Sequence, residues 1–185
     1  MNQSIEAIGL VELNSIAQGI TTADEMVKVA PVILMLAMTI CPGKYISVVG
    51  GDVSSVQSSV RRGVEVGSPF VVDSLFIPHI HEQVFPAVMG TGAPKTIRAV
   101  GVIETFSVAA AIVAGDGAAK AAKVELIELR LAQGLAGKSF VTMTGDVSDV
   151  TAGVRAGVAL IRDGGMLVRD VVIPRPHKDL KAKLV

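Results

Sequence analysis

The stretch Ile8-Gly9-Leu10-Val11-Glu12 returns 92 residues later as Val100-Gly101-Val102-Ile103-Glu104. The same spacing pairs Ser15 with Ser107, Asp24 with Asp116, Lys28 with Lys120, and Val32 with Val124. Farther along, Gly43-Lys44 matches Gly137-Lys138 and Gly51-Asp52-Val53 matches Gly145-Asp146-Val147, now at a spacing of 94, so two residues have entered the second copy. Ile77-Pro78 and His81 match Ile173-Pro174 and His177 at a spacing of 96. The chain is therefore a tandem duplication whose copies, at about 85 residues each, are the size of small domains. The reading is a first domain over residues 5–88, a Gly- and Pro-bearing linker over 89–96 (MGTGAPKT), and a second domain over 97–185.

Within each copy the apolar periodicity changes in an orderly way. Residues 5–13 are short and apolar and read as a strand, after which Thr21 or Thr22 can cap a helix running to about residue 30. Residues 32–40 read as a second, buried strand. After the Cys41-Pro42-Gly43 turn, residues 44–49 form a third, and Gly51-Asp52 supplies a turn and a helix N-cap. Val53, Val56, Val60 and Val64 then fall on one helical face, as do Val147, Val150, Val154 and Val158 in the second copy. Residues 70–77 make a fourth strand. The order β-α-β-β-α-β, twice, gives an α/β chain of two domains, each a small, mainly antiparallel four-stranded sheet backed by helices.

Charge and composition limit the partners. The 185 residues carry 17 Lys and Arg against 17 Asp and Glu, with no basic run longer than Arg61-Arg62, which argues against nucleic acid and anionic membrane surfaces. Half the residues are apolar and only 18% are charged, against about 25% ordinarily. The longest apolar stretch, 29–41, is broken by Pro31 and Thr39 and falls short of the roughly 20 residues that a bilayer demands. Surplus apolar surface on such a chain points to a subunit interface, and hence to a homo-oligomer. The opening MNQSIEAIG has neither a basic nor an apolar leader region, so the expected location is cytoplasmic. Cys41 is the single cysteine, which excludes an intrachain disulfide and leaves it only chemistry between chains.

These motifs, namely G-x-x-E, the D-x-x-x-K helix, the G-K strand start, the G-D-V helix start and the ending Ile173-Pro174-Arg175-Pro176-His177, resemble the bacterial microcompartment shell domain, present twice and in its unpermuted strand order. The resemblance covers nearly the whole chain. It implies a homotrimer that forms a pseudohexameric disc and tiles edge to edge with other shell proteins into the facets of a microcompartment. It also implies that the loop between the second and third strands surrounds the central pore. In the first copy that loop is Ile40, Cys41, Pro42, Gly43 and Lys44; in the second it includes Gln133 and Gly134 and has no cysteine. The first loop is similar to that of tandem shell proteins of propanediol utilisation, which carry a [4Fe-4S] cluster on the threefold axis. The implied metal ligand is Cys41, one from each of three chains, because threefold symmetry turns one thiolate into three. Electron transfer across the shell, or cluster delivery to lumenal redox enzymes, is the implied role; a pore subunit for metabolites with no cluster is the alternative.

The family further implies that Lys28, Lys120 and Arg175 lie at the facet edge, with His79 replacing the arginine in the first copy. A solvated helix face is the plainer reading of the lysines. Lys44 reads as structural, because Lys138 repeats it where no cysteine stands. His79 and His81 form an H-x-H pair, yet no third ligand is near in sequence, and His177 repeats His81, which suggests a role in the fold. The GTGAPKT run lacks the glycine before lysine that a phosphate loop has. Glu12 and Glu104 hold equivalent places in different copies, so a repeated structural glutamate fits them better than paired acid-base catalysis. No base falls near Cys41, and no catalytic residue is assigned: the expectation is not an enzyme.

Overall fold

A computed structural model describes residues 5–184. The chain divides into two compact units, the first ending at Ile80 and the second beginning at His81. The first contains β1 (Ala7–Leu13), α1 (Ile16–Val29), β2 (Ile33–Ile40), β3 (Lys44–Gly51), α2 (Val53–Gly67) and β4 (Val71–Pro78). Its sheet is antiparallel in the order β2-β3-β1-β4. The second contains α3 (Val84–Val88), β5 (Ala99–Thr105), α4 (Val108–Ala121), β6 (Glu125–Leu131), β7 (Ser139–Gly145), α5 (Val147–Ile161), β8 (Leu167–Ile173) and α6 (Lys178–Lys181), with the matching order β6-β7-β5-β8. Even the irregularities repeat: the register shifts between Leu34 and Leu36 and between Leu126 and Glu128. The β-α-β-β-α-β order and the four-stranded antiparallel sheets are those read from the sequence.

The duplicated motif builds the centre of each sheet. All seven residues of β1 are buried, as expected of an inner strand. Gly9 lies directly beneath α2, where a Cβ would stand 2.3 Å from Val60 Cγ2 and 2.9 Å from Val56 Cγ1; at Gly101 the corresponding distances are 2.7 Å to Val154 and 2.8 Å to Val150. The glycine of G-x-x-E is therefore what lets the valine stripe reach the sheet. Val56 and Val60 join Ala7, Val11, Leu13, Met26 and Val49 in one core, each large side chain contributing about 1.5–3 kcal/mol by leaving water. Val64 and Val147 are exposed, each at one end of its stripe.

Three features differ from the sequence reading. First, α1 starts at Ile16, not after Thr21 or Thr22: Ser15, extended at φ −134° and ψ 121°, accepts the Gln18 N–H at 3.3 Å, and Ser107 caps α4 by accepting the Ala110 N–H at 3.0 Å. The second helix begins as expected, with Asp52 accepting the Ser55 N–H at 2.9 Å and the Ser54 hydroxyl at 2.7 Å. Hydrogen bonds from Ser55, then Ser54, hold the Asp52 carboxyl at about 2, well below the ordinary carboxylate value. Asp146 holds the N-cap position of α5 but its side chain makes no capping bond; it pairs instead with Arg98 at 2.5 Å.

Second, residues 81–88, read as the end of the first domain, pack in the second unit. Gln83 accepts the Leu126 N–H at 2.8 Å and donates to the Val124 carbonyl at 3.1 Å, while Val84 and Ala87 are fully buried. The boundary between compact units thus falls at residues 80/81, ahead of the 89–96 segment. Third, β2 is not a buried strand. Ile33 and Leu34 are 39% and 41% exposed, whereas Leu126, the counterpart of Leu34 beside α3, is 4% exposed. Among the described residues no helix is long and apolar enough to cross a membrane.

Candidate functional site

Strand β2 ends at Ile40, strand β3 begins at Lys44, and the three residues between them form the turn that carries Cys41. Ile40 is buried and pairs in register with Lys44, which anchors both ends. Cys41 is a free, half-buried thiol; Pro42 and Gly43 are exposed. Gly43 adopts φ +67°, a left-handed conformation that glycine enters without penalty, and open space surrounds its Cβ position. The Cys41–Pro42 peptide bond is cis.

The lysine beside the turn is turned inward. Lys44 Nζ donates to Glu12 Oε1 at 2.7 Å, and the Glu12 side chain is 3% exposed. Lys138 and Glu104 repeat the pair at 2.5 Å. The G-x-x-E and G-K motifs are thus two halves of one ion pair per unit, which gives Glu12 and Glu104 the structural role expected of them. With Lys44 committed to β1, the thiol is the reactive group left at the turn.

The matching turn of the second unit, residues 132–138, has seven residues between its strands against three in the first, and is built differently. Ala132, Gly134, Ala136 and Gly137 all take positive φ, and the Leu135 carbonyl accepts the Lys138 N–H at 3.0 Å. Gln133 and Gly134 are exposed at its tip, and the turn offers no thiolate.

The residues expected at the facet edge are spread along each unit. Lys28 is exposed and pairs with Asp24, with Glu25 at 3.8 Å; its hydrogen bond to the Asp24 carboxylate holds its ammonium pKa above the ordinary lysine value. Lys120 pairs with Asp116 at 2.6 Å, but Asp116 is buried and also accepts the His81 N–H at 2.8 Å. His79, at φ +52°, and Arg175 are exposed in matching turns. His81 and His177 do the same local work: the Nδ1 of each accepts the backbone N–H two residues on, at 3.4 Å. The 89–96 run is no phosphate loop either. Strand β5 follows it in place of a helix, and Gly92 sits so close to β6 that a Cβ would lie 2.4 Å from the Ile127 carbonyl oxygen.

Among the described residues no group of three or more His, Cys, Asp or Glu side chains is placed to hold a metal ion. A cluster ligated by Cys41 therefore has to draw its other thiolates from other chains. The turn fits one corner of such a group: a free thiol, open space beside Gly43, and exposed backbone at 42 and 43. Sequence reasoning missed the capping serines: their repetition at a spacing of 92 marks Ser15 and Ser107 as equivalent without showing that they cap. It also missed Gln83, whose counterpart Asp179 differs in type and gave no signal.

A family model described as the BMC domain matches residues 7–80 and again 99–176. The chain is 43% identical over 180 residues to the bacterial microcompartment shell protein PduT of Citrobacter freundii, covering 97% of this chain and 98% of that one. A crystal structure of a microcompartment protein from Desulfitobacterium hafniense superposes with a TM-score of 0.92 at 51% identity, covering 97% of this chain and 99% of the other. The fused permuted hexameric shell protein MSM0275 of the RMM microcompartment shares the fold alone, at a TM-score of 0.63 and 18% identity over 85% of this chain and 82% of its own.

Proposed function

The chain belongs to the BMC domain family of bacterial microcompartment shell proteins, and from that premise we propose that it is a facet subunit whose homotrimer holds a [4Fe-4S] cluster at its centre. The observation that carries the proposal is an asymmetry. The two units agree in strand order, register shifts, Glu–Lys ion pair and valine stripe, yet the turn between their second and third strands carries a free, half-buried Cys41 in the first and is a longer loop with no thiolate in the second.

In a threefold ring the Cys41 turns alternate with the cysteine-free turns, and three thiolates face one axis. The cluster, when bound, supplies one-electron chemistry. The protein's share is to aim Cys41 with the Ile40–Lys44 pair, to keep Lys44 on Glu12 and away from the thiolate, and to leave space beside Gly43. Electron passage across the shell, or transfer of the cluster to enclosed redox enzymes, is the use that such a position serves. Neighbouring shell proteins meet the disc at the Lys28, Lys120, His79 and Arg175 edges.

Anaerobic purification followed by visible absorption and electron paramagnetic resonance tests this reading. Cluster absorption that disappears in Cys41→Ser, while the trimer mass is retained, is the expected result. A colourless, iron-free trimer from the same preparation overturns it and leaves a metabolite pore lined by Cys41.

A further inference from the structure

One face of the first unit is bare where the same face of the second is covered, and the duplication names the cover. Asp116 is buried and receives the His81 main-chain N–H, while its counterpart Asp24 is 56% exposed in its side chain. Ile112 is fully buried, while its counterpart Ile20 is 56% exposed. Leu126, clamped by Gln83, is 4% exposed and Leu34 is 41% exposed. In the second unit, residues 81–88 supply the His81 amide, the Gln83 clamp and the buried Val84 and Ala87. These residues follow β4 in the chain. The segment that follows β8 in the same way is 177–184, where His177 repeats His81, Asp179 stands for Gln83 and Leu180 for Val84. Helix α6 has no buried residue, and Leu180 is 42% exposed.

We propose that His177, Asp179 and Leu180 of one copy dock on the bare face of the first unit of a second copy, formed by α1 and β2. By the geometry of the second unit, the His177 N–H is donated to Asp24, the Asp179 carboxylate accepts the Leu34 N–H, and Leu180 covers Leu34. Glutamine has become aspartate, so the donor to the Val32 carbonyl is lost and the acceptor is kept. Because each copy offers its tail and receives another's, the contact is head to tail, and the threefold rotation of the proposed homotrimer closes it into a ring. The inference rests on the proposed homotrimer and names what fastens it.

Two experiments test it on the full chain in a Cys41→Ser background. Leu34→Cys and Asp179→Cys are combined and treated with a short bifunctional maleimide; covalent species of two and three chain masses on a denaturing gel are expected. Leu180→Glu, which places a charge at a position exposed in the single chain, is expected to weaken assembly by about tenfold or more, as measured by light scattering over a dilution series. A solution trimer that neither crosslinks nor responds to Leu180→Glu overturns this contact while leaving the oligomer standing. A parent chain that stays a monomer at all concentrations overturns both.

Discussion

Alanine at Gly9 would place a methyl group 2.3 Å from Val60 Cγ2, 2.9 Å from Val56 Cγ1 and 3.2 Å from Val49 Cγ2. Carbon atoms settle at about 3.5–4.0 Å, so the closest contact has to open by more than about 1 Å. The obstructing groups are β-branched valines with stiff χ1 angles, two of them on one helix, so relief comes from lifting α2 off the sheet. Overfilling a packed core costs about 1–3 kcal/mol, and replacing a strand glycine returns about 0.5–1 kcal/mol. The net loss centres on about 1 kcal/mol, which lowers the melting midpoint of a unit this size by about 4–8 °C. Gly51 is the internal control: its nearest neighbours lie 3.6–3.7 Å from a Cβ, in ordinary contact, so Gly51→Ala is expected to melt with the parent or slightly above it. Thermal melts of the two variants, followed by circular dichroism in one buffer, make the comparison. Coincident melting of Gly9→Ala and Gly51→Ala would refute the claim that the duplicated glycine exists to admit the valine stripe.

Glu12→Ala strands Lys44 beside the Cys41 turn, and because Glu12 is almost wholly buried the loss is expected to be ~2 kcal/mol, larger than for Glu104→Ala, whose side chain is 33% exposed; equal melting shifts would contradict this. Ser107→Ala removes the cap on Ala110 N and is expected to cost about 1 kcal/mol by urea titration, with no change at the Cys41 turn. Asp52 titrates lower in the folded chain than its ordinary 3.8, so its contribution is present above that pH and is lost as pH falls towards about 2. Asp52→Asn should accordingly flatten the acid limb of the melting curve between those values. Lys28 is raised, so its contribution is present below the ordinary 10.5 and fades only in stronger alkali, where Lys28→Met should lose the dependence.

Much of the architecture was legible because duplication prints each structural rule twice. Gly9 with Gly101, Glu12 with Glu104, and Lys44 with Lys138 were matched by spacing alone, and each proved to be a packing or ion-pair partner inside its own unit. Ser15 was passed over because a serine after an apolar run ends a strand as readily as it caps a helix; only its extended backbone and its contact with Gln18 decide. The exposure of β2 was hidden for a different reason. Its sequence, ILMLAMTI, is as apolar as any core strand, and what covers such a face is another segment, which local periodicity does not report. The 80/81 boundary was hidden likewise, since Gln83 earns its place by hydrogen bonds to Val124 and Leu126, far from it in the chain.

The sharpest question is where three sulfurs sit. Crystals grown anaerobically and measured at the iron absorption edge should give a single anomalous peak on the threefold axis, bounded by Cys41 Sγ atoms from three chains. An axis free of anomalous signal, or Cys41 side chains directed away from it, would reduce the molecule to a wall subunit with an ordinary thiol at its rim.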